Sequence, residues 1–241
     1  MRIFSKTDKG IVRNSNQDSF FAGELSSGAV FAIVCDGMGG AKAGNVASEK
    51  AVKIISDYIL HSYRIGMDDF ETEKMLKNAI SSANLEIYEM SLADEELSGM
   101  GTTAVIALVQ DNKAVIANVG DSRIYLLGDE ISQVTRDHSV VQSLVESGKI
   151  SPEDAKVHPR KNVITRAIGA ESEIMTDTSV IELENAKALL LCTDGLSSYV
   201  SSDTILKVFK EEQQENVAET FINLANEAGG RDNITVVLLT L

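Results

Sequence analysis

Four short acidic motifs carry the side chains of this chain that are best suited to chemistry. They are Arg13-Asn14-Ser15-Asn16-Gln17-Asp18, Asp36-Gly37-Met38-Gly39-Gly40, Thr193-Asp194-Gly195 and Arg231-Asp232-Asn233. Each lies where an apolar, strand-like run begins or ends. Strand ends are where a fold can force carboxylates together, and carboxylates held together need a cation. Hard oxygen donors select a hard divalent ion, so the pattern points to a divalent-metal hydrolase. A single Asp-Gly after a strand is ordinarily a turn. Here the number of motifs, their shared placement and the glycines beside them argue for more, because Gly37, Gly39, Gly40 and Gly195 let backbone carbonyls face an ion. Asp121, in Gly120-Asp121-Ser122-Arg123, sits between two strand-like runs in the same way.

The positioning elements are readable from periodicity. Runs 29–35, 102–109, 114–119, 124–127, 188–192 and 234–239 read as buried strands. Ser26-Ser27-Gly28, Asp111-Asn112 and Gly128-Asp129 read as hairpin turns, which make neighbouring strands antiparallel. A strand over 19–22 places Asp18 at its start and Asp36 at the end of the next, on one sheet edge. Between Gly44 and Leu97 the spacing turns helical: Val46, Ala47, Ala51, Ile54, Ile55, Tyr58 and Ile59 mark one apolar face. Phe70, Met75, Leu76, Ala79, Ile80, Ala83, Leu85, Ile87 and Tyr88 mark a second. Two further helices fit 203–211 and 216–228, the latter stopped by Gly229-Gly230. Strands, paired helices, strands, paired helices and a closing strand imply an α+β layered fold. Both prolines, Pro152 and Pro159, fall in 138–162, which reads as an insert or flap with a basic patch at His158, Arg160 and Lys161.

Composition sets further bounds. A net charge of -14 argues against nucleic acid or an anionic membrane as partner. No run approaches the roughly 20 apolar residues of a membrane span, and the N-terminus lacks a signal core, so a cytoplasmic location is expected. The chain ends just after its last expected strand, so no tether or receptor domain is expected. Cys35 and Cys192 read as buried hydrophobes in a reducing compartment. Six residues beyond them stand Ala41 and Ser198, which rules out the Cys-x5-Arg signature of cysteine phosphatases. Gly99-Met100-Gly101 precedes a strand instead of following one, so it is not a dinucleotide fingerprint. No Walker loop and no Asp-x-Asp pair occurs. His61, His138 and His158 are too scattered for a histidine-built centre, and His138 reads as a structural hydrogen-bonder.

With these residues in view, the chain resembles the metal-dependent protein serine/threonine phosphatases of the protein phosphatase 2C family, in their compact bacterial form. The resemblance also rests on Gly-Met-Gly-Thr-Thr at 99–103, Asp-His-Ser at 137–139, Thr-Arg-Ala-Ile-Gly at 165–169, Cys-Thr-Asp-Gly-Leu at 192–196 and Arg-Asp-Asn-Ile-Thr at 231–235. The resemblance implies a four-layer α-β-β-α sandwich of two mostly antiparallel sheets, forming a single catalytic domain over 1–241 with a flap at about 140–162. It implies two Mg2+ or Mn2+ ions, with a possible third. Asp36 would bridge the pair, the Gly37 carbonyl would bind one ion, and Asp194 and Asp232 the other, while Asp121 with Asp194 would hold the third. Asp18 would orient water, Arg13 would grip the substrate phosphate, and His158 and Arg160 of the flap would touch substrate. A metal-bridging hydroxide would attack phosphoserine or phosphothreonine directly. Met38 and Ala41 stand where eukaryotic and many bacterial relatives, respectively, carry a histidine, and Gln17 replaces an acid common in eukaryotic members. The expected partners are phosphorylated proteins and a cognate Ser/Thr kinase, and the expected state is a monomer. Two rival readings are a catalytically silent phosphatase-like domain that binds phosphoproteins or regulates a partner, and a phosphoesterase of small molecules. The silent domain predicts loss of a core metal ligand, and none is lost.

Overall fold

The computed structural model describes residues 1–26 and 28–241, with the side chains of all of these except Ala41 and Lys42. In chain order the elements are β1 (Arg2–Asp8), β2 (Asp18–Glu24), β3 (Val30–Met38), α1 (Gly40–Ser62), α2 (Asp69–Ala93), β4 (Gly101–Thr102), β5 (Ala104–Gln110), β6 (Lys113–Val119), β7 (Arg123–Leu127) and β8 (Ile131–Gln133). There follow α3 (Val140–Glu146), α4 (Pro152–Val157), β9 (Asp177–Glu182), β10 (Ala188–Cys192), α5 (Asp194–Ser197), α6 (Ser202–Glu211), α7 (Gln214–Glu227) and β11 (Ile234–Thr240). One sheet runs β1-β11-β10-β7-β8 and the other β2-β3-β5-β6-β9, with β4 paired to β3. Every described strand pair is antiparallel.

Strands buried on both faces explain both the apolar runs and the layering. In β3, Val30, Ala32 and Val34 point between the sheets and meet Leu189, Leu191, Val237 and Leu239. The alternate residues Phe31, Ile33 and Cys35 pack on α1 and α2 through Ile55, Ile59, Leu76 and Ile80. On the opposite side Leu190, Cys192, Val236 and Leu238 pack on Phe209, Val217 and Phe221 of α6 and α7. The result is the expected α-β-β-α sandwich. Both cysteines are free and buried, and burial pushes their thiols up, in keeping with their reading as hydrophobes.

Three strands escape the periodicity. β1, β8 and β9 are sheet edges, only partly buried, so their sequences lack a continuous apolar run. Asp111 and Asn112 turn at φ 49 and 63, the left-handed pair a tight hairpin requires. Of the turn at Ser26-Ser27-Gly28, Ser27 lies outside the described residues. α2 starts at a capping box, with Asp68 accepting from Glu71 N and the Glu71 carboxylate from Asp68 N. Its buried stripe is Thr72, Met75, Leu76, Ala79, Ile80, Ala83, Asn84 and Ile87. Phe70 and Leu85, expected on that stripe, are exposed at 73% and 52%. Each stands two residues from a stripe position, which is roughly 200° around a helix. The insert forms α3 and α4, the latter again opened by a capping box, Ser151 with Asp154. Among the described residues no helix is long and apolar enough to cross a membrane.

This layering predicts a sharp contrast in urea unfolding. Leu191→Ala, between the sheets, should cost ~2–5 kcal/mol, whereas Phe70→Ala, although the larger truncation, should stay within about 0.5 kcal/mol. Equal costs would mean that the inter-sheet core is not where the structure places it.

Candidate metal centre

The carboxylates gather where the two sheets end together. Asp18 and Asp36 are direct cross-strand partners on β2 and β3, as the hairpin argument requires. Asp194 leaves β10 and Asp232 stands two residues before β11, and those strands are neighbours in the other sheet. Asp36, Asp121, Asp194 and Asp232 line one cleft of about 500 Å³ together with Arg13, Gly37 and Thr103. Asp36 and Asp194 act on one another electrostatically across it.

Threonines set the geometry. Thr193 and Thr235 both donate to Asp18 Oδ2, at 2.9 and 2.8 Å. Thr235 N donates in turn to Thr193 Oγ1 at 3.0 Å, and the Thr7 hydroxyl joins that of Thr235 at 2.7 Å. One carboxylate therefore bolts the β2–β3 sheet to the β1–β11–β10 sheet. Asp36 N donates to Thr103 Oγ1 at 2.9 Å, and Thr102 Oγ1 donates to Asp36 O at 2.9 Å. Thr103 Oγ1 also pairs with Ser122 Oγ at 2.8 Å, which brings the neighbour of Asp121 into the same network. Gly37 and Gly195 are where backbones touch. A Cβ on Gly37 would sit 2.0 Å from Gly44 O, and one on Gly195 would sit 1.9 Å from Asn233 O.

Asn233 shapes the loop that carries Arg13. Its buried amide accepts from Gln17 N at 2.8 Å and donates to Lys9 O and Ser15 O at 2.8 and 2.9 Å. Ile11 N and Val12 N both bond Gly230 O. Arg13 is thus delivered to Asp232, with Nη2 donating to Oδ2 at 2.8 Å, while its side chain stays 49% exposed. Thr193, Thr235 and Asn233 were not singled out from sequence. The available signal was their place inside the acidic motifs, directly beside a carboxylate for Thr193 and Asn233 and three residues from one for Thr235.

The electrostatics are those of acids crowded without compensation. Burial, countered by the two threonine hydroxyls and reinforced by Asp194 and Asp232, pushes Asp18 up to about 7. Burial, with Asp194 and Asp137 nearby, pushes Asp121 up to about 7. Burial and the charge of Asp232 push Asp194 up to about 6, against the pull of Arg123 and Arg13. Asp36, buried and facing Asp18, Asp194, Asp121 and Asp232, is raised well above the ordinary range.

These residues fit divalent ions. Asp18 Oδ1 is a buried oxygen with no hydrogen-bond partner among the described residues. The other acids line the cleft, and the donor set is all oxygen, as Mg2+ and Mn2+ demand. Among the described residues no three carboxylate, imidazole or thiol groups already close around one point.

The remaining sequence candidates divide. His158 and Arg160 line neither the cleft nor the adjoining groove of about 440 Å³. Arg160 N instead donates to His158 Nδ1 within the flap. Lys156, Lys161 and Asn162 face that groove, alongside Asp121 and Asp194. His138 is a buried hydrogen-bonder, held below its usual pKa chiefly by burial.

Comparison with known proteins agrees with this geometry. A family model for protein phosphatase 2C matches residues 10–235. The chain is 42% identical over 236 residues to the serine/threonine phosphatase stp of Listeria monocytogenes, covering 97% of this chain and 93% of that one. Its fold is similar to the crystal structure of serine/threonine phosphatase Stp1 from Staphylococcus aureus, with a TM-score of 0.94, 35% identity, and 99% and 94% of the two chains covered. It is also similar to the catalytic domain of the serine/threonine protein phosphatase PstP, solved in complex with 2 manganese ions, at a TM-score of 0.85, 35% identity and 98% and 96% coverage. The chain belongs to the protein phosphatase 2C family.

Proposed function

We propose that this chain is a bacterial-type phosphatase that hydrolyses phosphoserine and phosphothreonine on proteins, opposing a cognate Ser/Thr kinase in the cytoplasm and acting as a monomer. We assign it one catalytic domain over 1–241 with its flap at about 140–162. The single observation that carries this reading is the cleft shared by Asp36, Asp121, Asp194, Asp232 and Arg13. Asp36, the Gly37 carbonyl, Asp194 and Asp232 would hold two ions, Mg2+ or Mn2+, and Asp121 with Asp194 a third. When bound, such ions lower the pKa of water and take up charge on the phosphoryl oxygens.

The chain's own residues supply the rest. Asp18 keeps Oδ2 on the two threonine hydroxyls, which leaves Oδ1 to accept from a water and orient it. Arg13 offers a planar fork of N–H donors, matched to two oxygens of a phosphate. Its loop backbone is fixed by Asn233, so only the side chain has to reorient toward the substrate. Met38 and Ile164 add apolar side chains to a cleft otherwise lined mainly by polar groups. The silent-domain reading has no support here, since each expected acid lies in the cleft or at its base.

Activity on a phosphopeptide should appear with manganese and vanish with EDTA; equal rates in both would remove the proposal. Asp194→Ala should lower kcat by about 10³-fold or more, because several kcal/mol of charge stabilisation are lost. Arg13→Ala should raise KM about tenfold or more, as expected for a charge-assisted hydrogen bond of ~1.5–3 kcal/mol, with a smaller effect on kcat. An unchanged KM would show that Arg13 does not hold phosphate.

The acids also set a pH dependence. Asp18, Asp121 and Asp194 keep their protons to about 7, 7 and 6 when folded, against 3.8 ordinarily. The folded chain therefore binds more protons than the unfolded one between those values, and stability from these groups falls as pH rises through that window. In EDTA, Tm should be lower at pH 8 than at pH 5.5, and manganese should raise it at pH 8. A Tm at pH 8 that does not respond to manganese would contradict ion binding at these acids.

A further inference from the structure

His138 joins two parts of the molecule that the catalytic reading leaves separate. It stands at the root of the flap, and its side chain is 1% exposed. Its peptide N donates to Gly120 O at 2.9 Å, and Gly120 N donates back to His138 Nδ1 at 3.1 Å. Gly120 has φ 103, and a Cβ there would lie 2.5 Å from the Thr103 side chain, so the backbone beside Asp121 has little freedom except through this clamp. Because Nδ1 accepts, the neutral ring carries its proton on Nε2. Nε2 faces Asp177 Oδ2 at 3.0 Å and lies 3.1 Å from Arg166 Nη1, which donates to Asp177 Oδ1 at 2.7 Å. Arg166 belongs to the far root of the flap. The two roots are laced together by Thr165 N to His138 O at 2.7 Å and Val140 N to Val163 O at 2.9 Å. Between the roots, Lys161 and Asn162 face the same groove as Asp121.

We propose that His138 is a positioning residue whose two ring nitrogens have separate tasks. Nδ1 fixes the Gly120–Asp121 backbone, and Nε2 fixes the flap roots through Asp177 and Arg166. Ion occupancy at Asp121 and placement of the flap over the cleft are then coupled through one imidazole. The inference rests on the reading of Asp121 as an ion ligand.

Two substitutions separate the tasks. In His138→Asn the amide oxygen takes the place of Nδ1 and nothing reaches Asp177. In His138→Gln the longer amide reaches toward Asp177 and leaves Gly120 N without its acceptor. Manganese titration of the full chain, read by the EPR signal of free ion, should show the Asp121-dependent site weakened about tenfold or more in His138→Gln and within about twofold of the parent in His138→Asn. Hydrogen exchange of residues 140–162 should show the opposite order, with the flap loosened in His138→Asn. In the parent, saturating manganese should slow flap exchange, and in both variants that response should be lost. If both variants change both readouts alike, or if manganese leaves parent flap exchange unchanged, the coupling is wrong. Asp121→Asn identifies the site: if it binds manganese as the parent does, the reading of Asp121 fails, and the inference with it. If it loses the site while His138→Gln keeps it, the coupling alone fails. Should a His138 variant not fold, Asp177→Ala removes both acceptor oxygens and so interrupts the Nε2 side without touching the ring. It should behave as described for His138→Asn, and a flap exchange identical to the parent would overturn the proposal.

Discussion

Mutual repulsion among five aspartates governs this molecule. Two unit charges about 4 Å apart repel by ~4 kcal/mol at an effective dielectric of about 20, and Asp36 alone faces Asp18, Asp194, Asp121 and Asp232. The fold tolerates the crowding because neutral hydroxyls, not cations, tie the acids down. Thr193 and Thr235 hold Asp18, and Thr102 and Thr103 hold the Asp36 backbone. A lysine at those places would quench the charge and leave nothing for an ion. Arg13 is the partial exception: it reaches Asp232 from an exposed loop and stays half in solvent, free to turn toward a phosphate.

The sandwich supplies the rigidity that such an arrangement demands. Asp36, Asp194 and Asp232 are anchored on or beside strands packed on both faces, and the strands of the two sheets share Val34, Leu191 and Val237 in one core. The acids also come from the same end of that core, so they cannot separate without opening the inter-sheet layer. Asn233 and His138 extend this rigidity outward, one to the loop of Arg13 and the other to the flap. Both use every polar atom of the side chain on a fixed partner.

Much of this was legible in the sequence, for physical reasons that differ by residue. The pairing of Asp18 with Asp36 followed from hairpin geometry, and the double-sided strands from their unbroken apolar runs. β1, β8 and β9 were not legible, since their partly buried residues form no continuous apolar run, unlike the aromatic pair Phe20-Phe21 of the equally marginal β2. Phe70 and Leu85 looked like core because they are apolar within a helix, and only their angle around the axis shows otherwise. Thr193 and Thr235 stood in plain view within motifs, but no local rule reveals that two hydroxyls 42 residues apart meet on one carboxylate. Of the basic patch in the flap, Lys161 faces the groove, with Lys156 beside it, whereas His158 and Arg160 do not line it; the direction of a side chain on a short flap follows from its packing and not from periodicity.

Anomalous diffraction at the manganese edge, from crystals grown with the ion at neutral pH, tests the central claim most directly. Strong peaks between Asp36 and the Asp194–Asp232 pair, absent from crystals grown in EDTA, are the predicted result. Ordered carboxylates in this cleft with no anomalous density among them, or with the ions bound elsewhere on the surface, would contradict it.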